Sequence, residues 1–372
     1  MSRLAELIEE LCPDGVEYKP LSECVVLPSI PSGLKRNQYE NSGSYPIVDQ
    51  GRGKIAGFTC DETKLVRDVP GIVFGDHTRE IKYVDYFFVP GADGVKWIRT
   101  VDGISIRYLF HCLTSLSIPS RGYNRHWILV REMLIPVPPL EVQREIVRIL
   151  DQFTTLEAEL EAELEARRTQ YEHYRNHLLS YESLADCGPV SLVPLRECIE
   201  LCFGERITKT QHAGTLYPVY GGGGASFMTD SFNRADEFVI SRFALSEACV
   251  RFVSGEFWLL DSGITFNVNE LCCDKRYVGQ FLLSRQNDIY RRSAGAAQRN
   301  LKIAEFLSME VPLPGLAEQR RIADLLDRFD ALVNDISSGL PAEIAARRAQ
   351  YEHYRDRLLS FPEKAASGDD VP

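Results

Sequence analysis

The sequence predicts an α+β protein in which two irregular β-rich bodies are separated by an antiparallel two-helix coiled coil built from two repeated helical regions. Three observations lead there. Ala166-Arg167-Arg168-Thr169-Gln170-Tyr171-Glu172-His173-Tyr174-Arg175 and Ala346-Arg347-Arg348-Ala349-Gln350-Tyr351-Glu352-His353-Tyr354-Arg355 are nearly the same words in a chain of 372 residues, so one structural module occurs twice. Each repeat follows a body of short β-branched and aromatic runs broken by turn residues, the pattern of strands. Each repeat also spaces apolar side chains in alternating steps of four and three, the mark of a coiled-coil seam.

The elements follow in chain order. Residues 1–20 form an N-terminal helical segment, and the first body spans 21–138. It opens at Lys19-Pro20-Leu21 and continues through Tyr45-Pro46-Ile47-Val48 and a turn at Gly51-Arg52-Gly53-Lys54. Strand-length runs follow at Gly71-Ile72-Val73-Phe74 and Val84-Asp85-Tyr86-Phe87-Phe88-Val89, with a helix at 106–116. A helical region covers 139–182, and 183–314 holds the second body. That body repeats the order with Val193-Pro194-Leu195, Tyr217-Pro218-Val219-Tyr220, the turn Gly221 to Gly224, runs at Glu237-Phe238-Val239-Ile240 and Glu256-Phe257-Trp258-Leu259-Leu260, and a helix at 277–284. The second helical region is 315–362, and 363–372 reads as a disordered tail.

Each body closes on a proline step, Ile135-Pro136-Val137-Pro138-Pro139-Leu140 or Val311-Pro312-Leu313-Pro314-Gly315-Leu316. Proline favours extended backbone before itself and can open a helix. The seam behind each step reads Leu160, Leu164, Tyr171, Tyr174 and Leu178 in one copy and Leu340, Ile344, Tyr351, Tyr354 and Leu358 in the other. Two such stripes in one chain can satisfy each other. Gly339 and Pro341 interrupt the second copy, where the helix should break or kink. A helix from about Phe153 to Tyr181 would reach ~40 Å at ~1.5 Å per residue.

Charge is unevenly spread. The net is -11, yet residues 21–138 carry 14 basic against 12 acidic residues and 194–314 carry 13 against 14. The acidity therefore sits in the helices, and nucleic acid remains an admissible partner for the bodies. With no secretory start and no apolar run long enough to span a bilayer, a cytoplasmic location is expected, with no membrane partner. The ten cysteines are then expected as free thiols, with no zinc-like spacing and no metal.

Catalytic motifs are missing from the sequence: there is no Gly-x-x-x-x-Gly-Lys-Ser/Thr loop, no Gly-x-Ser-x-Gly elbow, no His-Glu-x-x-His, and no Asn/Asp-Pro-Pro-Tyr/Phe. Groups suited to DNA contact occur in loops, since arginine and lysine anchor phosphates while arginine, asparagine and glutamine read base edges. The candidates are Lys35, Arg36, Arg52, Lys54, Arg79, Arg121, Tyr123, Asn124 and Arg125 in the first body. In the second they are Arg206, Lys209, Gln211, Arg242, Arg291, Arg292, Gln298, Arg299 and Asn300. The clusters at 123–125 and 298–300 fall at matching places, shortly before the proline steps.

Pro138-Pro139-Leu140-Glu141-Val142-Gln143-Arg144-Glu145-Ile146, Pro314-Gly315-Leu316-Ala317-Glu318-Gln319-Arg320-Arg321-Ile322 and the turn from Tyr217 to Gly224 resemble the specificity subunit of a type I restriction-modification system. The likeness covers nearly the whole chain, although the first glycine turn and the Gly339–Pro341 interruption depart from the usual pattern. The resemblance implies two target recognition domains, each reading one half of a bipartite double-stranded DNA site. It implies helices that set the spacing and dock two methyltransferase subunits near Gln143–Phe153 and Gln319–Phe329, with motor-endonuclease subunits joining for restriction. This chain would then be non-catalytic and bind no cofactor, S-adenosylmethionine belonging to the methyltransferase partners. Two other readings are a protein-binding coiled-coil adaptor without DNA readout and a single-chain DNA-modifying enzyme.

Overall fold

The computed structural model describes residues 3–91, 94–122, 124–243, 245–295, 299–334 and 339–364. Tyr123, Gln298 and the tail from 365 onward lie outside the described residues. The longer helices are α1 (Arg3–Leu11), α2 (Ile106–Ser115), α3 (Leu140–Leu178), α4 (Lys275–Ser284), α5 (Leu316–Asn334) and α6 (Leu340–Leu358). Two compact units emerge, residues 1–160 with 344–372 and residues 161–343. They cut across the linear segments: the end of the second helical region folds into the first unit.

In the first unit the strands are β1 (Glu17–Pro20), β2 (Val25–Val26), β3 (Tyr45–Val48), β4 (Gly57–Thr59), β5 (Gly71–Gly75), β6 (Ile81–Val84), β7 (Val89–Pro90), β8 (Val95–Thr100) and β9 (Leu134–Val137). They pair in the orders β2-β8-β5-β6, β4-β3-β7 and β1-β9. β5 is an unbroken apolar run because every residue of it is buried. The proline step becomes β9, paired with the entry segment from Glu17↔Val137 to Pro20↔Leu134; such a two-stranded pair leaves edges where proline's missing N–H does no harm.

The second unit repeats the plan with β10 (Ser191–Pro194), β11 (Ile199–Phe203), β12 (Tyr217–Tyr220), β13 (Ala225–Thr229), β14 (Arg234–Ser241), β15 (Val250–Leu259), β16 (Gly263–Val268), β17 (Ser293–Ala294), β18 (Asn300–Leu301) and β19 (Glu310–Leu313). Its main sheet runs β11-β16-β14-β15-β12-β13, and β10 pairs with β19 as β1 does with β9. The body helices correspond residue by residue. Ser105 and Asp274 cap them, Asp274 accepting from Arg276 N at 3.0 Å. The Tyr108 hydroxyl donates to Pro136 O at 3.1 Å, as Tyr277 does to Pro312 O at 2.6 Å. At Gly279 the ring of Phe238 lies where a Cβ would sit, 2.3 Å away, so the helix can approach that strand only with glycine there.

Behind each proline step a glutamine is fully buried. Gln143 donates to Pro138 O (2.7 Å) and Gly103 O (3.0 Å) and accepts from Ser105 N (2.8 Å). Gln319 does the same with Pro314 O, Cys272 O and Asp274 N, at 2.8, 2.9 and 2.9 Å. Each clamps the proline step to the start of its body helix. One face of each of these helices is spent on the bodies: Val142, Ile146 and Leu150 join the core of the first unit, and Ile322, Ala323 and Leu326 that of the second. Only the opposite flanks, such as Arg144 with Arg148 and Arg320 with Arg321, face outward.

Helical structure starts earlier than Phe153, so α3 is one 39-residue helix. In the second copy α5 ends before the described part resumes at Gly339, and α6 begins at Leu340, in keeping with the expected interruption. Contacts between the two helical regions run antiparallel. In the first unit Phe153 stacks on Tyr354, rings 5.4 Å apart, and Glu157 pairs with Arg348. In the second unit Tyr171 lies 6.5 Å from Phe329.

The seam does more than pair helices. Tyr171 is buried in the second unit's core with Leu164 and Leu178 packed against it, while Tyr351 and Leu358 pack on the first. Ile344 is buried, Leu160 and Leu340 are half-buried, and Tyr174 and Tyr354 remain partly exposed. Each body is thus completed by the tyrosine stripe of the repeat that does not directly follow it.

Candidate nucleic-acid interface

In the first unit three loops meet at one end of the sheet. The β3–β4 loop carries Arg52 and Lys54, the β5–β6 turn carries Arg79, and the segment before Trp127 carries Arg121, Asn124 and Arg125. They are pinned together through the backbone. Gln50 accepts from His77 N at 3.2 Å, and the Thr78 hydroxyl donates to Gln50 O at 2.5 Å. Arg79 donates to Ile118 O at 2.9 Å. The fully buried His126 is the hinge: its N–H and its Nδ1–H donate to Asp76 O at 2.8 and 2.9 Å, while Nε2 accepts from Arg121 N at 3.1 Å. Asp76 in turn accepts from Trp127 N at 2.8 Å.

The outcome is a concavity lined by Lys96, Arg121, Asn124, Arg125 and Arg131, with Ile128 and Trp127 beside them. Four cations and an amide, with Trp127, an exposed Ile128 and the single carboxylate of Asp76 among them, suit a polyanion with stackable bases. Arg52 reaches into solvent, its side chain 96% exposed, with Nε 3.8 Å from the Glu80 carboxylate. Lys35 and Arg36 sit on a separate exposed turn, held beside β7 by Leu34 N donating to Pro90 O at 2.9 Å.

The second unit builds the corresponding end. Leu301 N donates to Arg242 O at 2.9 Å, the counterpart of His126 N on Asp76 O, so the loops ending at Arg125 and Asn300 dock on matching strand ends. Arg242 lies over the rings of Phe203 and Phe243, at 5.1 and 4.7 Å. Arg206, Lys209 and Gln211 are exposed in the β11–β12 connection, Lys209 and Gln211 on one helical turn, and Asn300 is exposed on β18.

Three of the candidates have different surroundings. Arg299 turns inward, donating to the Ser293 hydroxyl (2.8 Å) and Ser293 O (2.9 Å) and lying 4.6 Å over Tyr290. Arg292 lines a different concavity with Tyr181, Glu182, Arg285 and Asp288, and Arg291 is exposed on the helix leading into it. Lys82, Lys96, Arg131, Arg251 and His126 escaped the sequence reading. A cation inside the alternating run Ile81-Lys82-Tyr83-Val84 was the available signal, because its position faces inward.

The exposed thiols and the histidines form no cluster able to hold a metal among the described residues, and no described helix is long and apolar enough to cross a membrane.

The sequence profile of the type I restriction modification DNA specificity domain matches residues 31–166 and again 229–346. The specificity subunit of the type I restriction enzyme EcoR124I/EcoR124II of Escherichia coli is 28% identical over 97% of this chain and 98% of its own length. Among solved structures, the type I restriction-modification S subunit from M. genitalium superposes with a TM-score of 0.60 at 16% identity, covering 93% of this chain and 96% of that one. A chain from a study of complex assembly in a type I system gives 0.52 at the same identity, covering 94% and 98%. These last two establish a shared fold. With the specificity domain present twice across most of its length, the chain belongs to the type I restriction-modification DNA specificity family.

Proposed function

We propose that this chain is the DNA-reading subunit of a type I restriction-modification complex, non-catalytic by itself, with its two bodies reading the two halves of a divided double-stranded site. The observation that carries this reading is the matched docking of two dissimilar loops. His126 N on Asp76 O and Leu301 N on Arg242 O fix both loop ends by one backbone bond, while the residues displayed beside them differ. Duplicated scaffolds with different reading side chains suit a target whose halves differ in sequence.

Methylation would come from two methyltransferase subunits carrying S-adenosylmethionine, and cleavage from motor-endonuclease subunits. The outward flanks of α3 and α5, around Arg144, Arg148, Arg320 and Arg321, are the surfaces left for docking them. A protein-only adaptor would have no use for the cationic concavity around Arg121 and Arg125. The test is a gel shift of the chain, reconstituted with its methyltransferase subunits, on duplex pools at several salt concentrations. Selection of one gapped motif, with binding that weakens steeply with salt, is expected. Methyl transfer by the isolated chain, or binding without any preferred motif, would overturn the proposal.

A further inference from the structure

A second pair of equivalent residues lies beneath the candidate reading loops. Lys82 stands on β6 opposite Val73 of β5, and Arg251 stands on β15 opposite Val239 of β14. The two strand pairs correspond, because the residue three positions beyond each of those valines receives the docking bond from His126 or Leu301. Lys82 is buried, and both side chains point under the glycine turn that follows the Tyr-Pro strand.

In the first unit Lys82 Nζ donates to Asp49 O at 2.7 Å and Gly53 O at 2.6 Å, with the Asp49 carboxylate 3.8 Å away. In the second unit the Arg251 guanidinium donates to Gly222 O and Gly223 O, and reaches the Ser241 hydroxyl at 3.3 Å. Ser241 also donates to Gly222 O, and Gly222 N donates to Ser262 Oγ at 3.2 Å. Burial pushes the proton affinity of both cations down, opposed at Lys82 by Asp49.

Glycine turns have many backbone conformations open to them. Two carbonyls held by one cation, buried at Lys82 and half-buried at Arg251, leave few, because charge-assisted bonds strengthen as water is excluded. The first turn carries Arg52 and Lys54, while the second presents bare glycine backbone. A different cation doing the same task in each copy, lysine under one turn and arginine under the other, indicates that the task concerns the turn.

We propose that Lys82 and Arg251 are equivalent positioning residues, each fixing the glycine turn of its own body and through it the base preference at one half of the DNA site. This rests on the reading that these loop ends face DNA, so the experiment reads anchoring and recognition separately. Lys82→Met and Arg251→Met are made in the full chain and reconstituted with methyltransferase subunits. Amide hydrogen exchange is followed at 51–56 and 222–225, and binding is compared on duplexes substituted singly in each half.

Lys82→Met is expected to speed exchange only at 51–56 and to cut discrimination about tenfold in one half. Arg251→Met is expected to do so at 222–225 and in the other half. Lys82→Arg and Arg251→Lys keep the charge, should fold even where the methionine variants do not, and are expected to show the same half-site pattern in smaller degree. Unchanged exchange at the turns overturns the anchoring. Faster exchange with intact discrimination, or equal loss in both halves, overturns the specificity role. If the wild-type complex itself discriminates in neither half, the recognition reading falls and takes this inference with it.

Discussion

The hydroxyl of Tyr351 lies 3.0 Å from Nδ1 of His111, a residue 240 positions earlier. The other ring nitrogen of His111 lies 3.0 Å from Asp151, which also accepts from Arg107 Nε at 2.8 Å. A carboxylate only accepts, so Nε2 carries the hydrogen and Nδ1 accepts from tyrosine. The second unit repeats the chain of bonds with glutamine in place of histidine: Gln280 donates to Asp327 at 3.1 Å and accepts from Tyr171 at 3.4 Å. With Arg276 donating to Asp327 at 3.1 Å as Arg107 does to Asp151, four residues in each unit tie a body helix to the helix behind its proline step and to the tyrosine of the opposite repeat.

The histidine copy should be sensitive to acid where the glutamine copy is not. Burial holds the proton affinity of His111 below its ordinary 6.5, with the bond to Asp151 pulling the other way. The folded chain therefore prefers neutral His111, and below about pH 6.5 the unfolded chain takes up a proton that the folded one refuses. Stability should fall as pH drops through that window. His111→Gln, which copies Gln280, should flatten this slope in denaturant titrations between pH 7.5 and 5. Identical slopes in the two proteins would contradict the assignment.

Replacing a buried glutamine clamp should be costly. Gln319→Leu leaves Asp274 N without its partner and frees the carbonyls of Cys272 and Pro314. An unmet polar group costs about 1–3 kcal/mol where water cannot reach it; Cys272 is exposed and Asp274 half-buried, so water offsets part of the three losses and roughly 2–4 kcal/mol is expected in urea unfolding. A loss below about 0.5 kcal/mol would mean that water replaces the clamp.

Phe153 and Tyr354 should be energetically coupled. A double-mutant cycle with Phe153→Ala and Tyr354→Ala is expected to give about 0.5–1.5 kcal/mol, as for other aromatic pairs. Additive effects would show that this helix contact is incidental.

Arg52 should act on phosphate alone. Its side chain is 96% exposed, and Arg52→Ala is expected to weaken binding to all duplexes alike and lower the salt slope by about one. Altered base preference would place it in a groove.

Much of this was legible in the sequence. The repeat, the Tyr-Pro strands, both proline steps and both body helices stand where periodicity and turn residues put them, because those signals are local. The long-range roles were not. A glutamine in a helix looks like surface, and only the fold shows Gln143 meeting Ser105 and Gly103. Arg299 carries a reader's side chain, yet its partners Ser293 and Tyr290 draw it inward. The 4-3 stripe was clear, but spacing alone could not say that Tyr351 would end beside His111 and Tyr171 beside Gln280, since burial on a helix and burial on a body give the same pattern.

Mapping of methylated bases, genome-wide, in cells making this chain with its methyltransferase subunits tests the central claim most directly. One motif is expected, in two parts divided by a fixed run of unread base pairs. Replacing residues 21–138 by the corresponding part of a relative should change one part and leave the other intact. A single unbroken motif, or a swap that alters both parts together, would contradict the account.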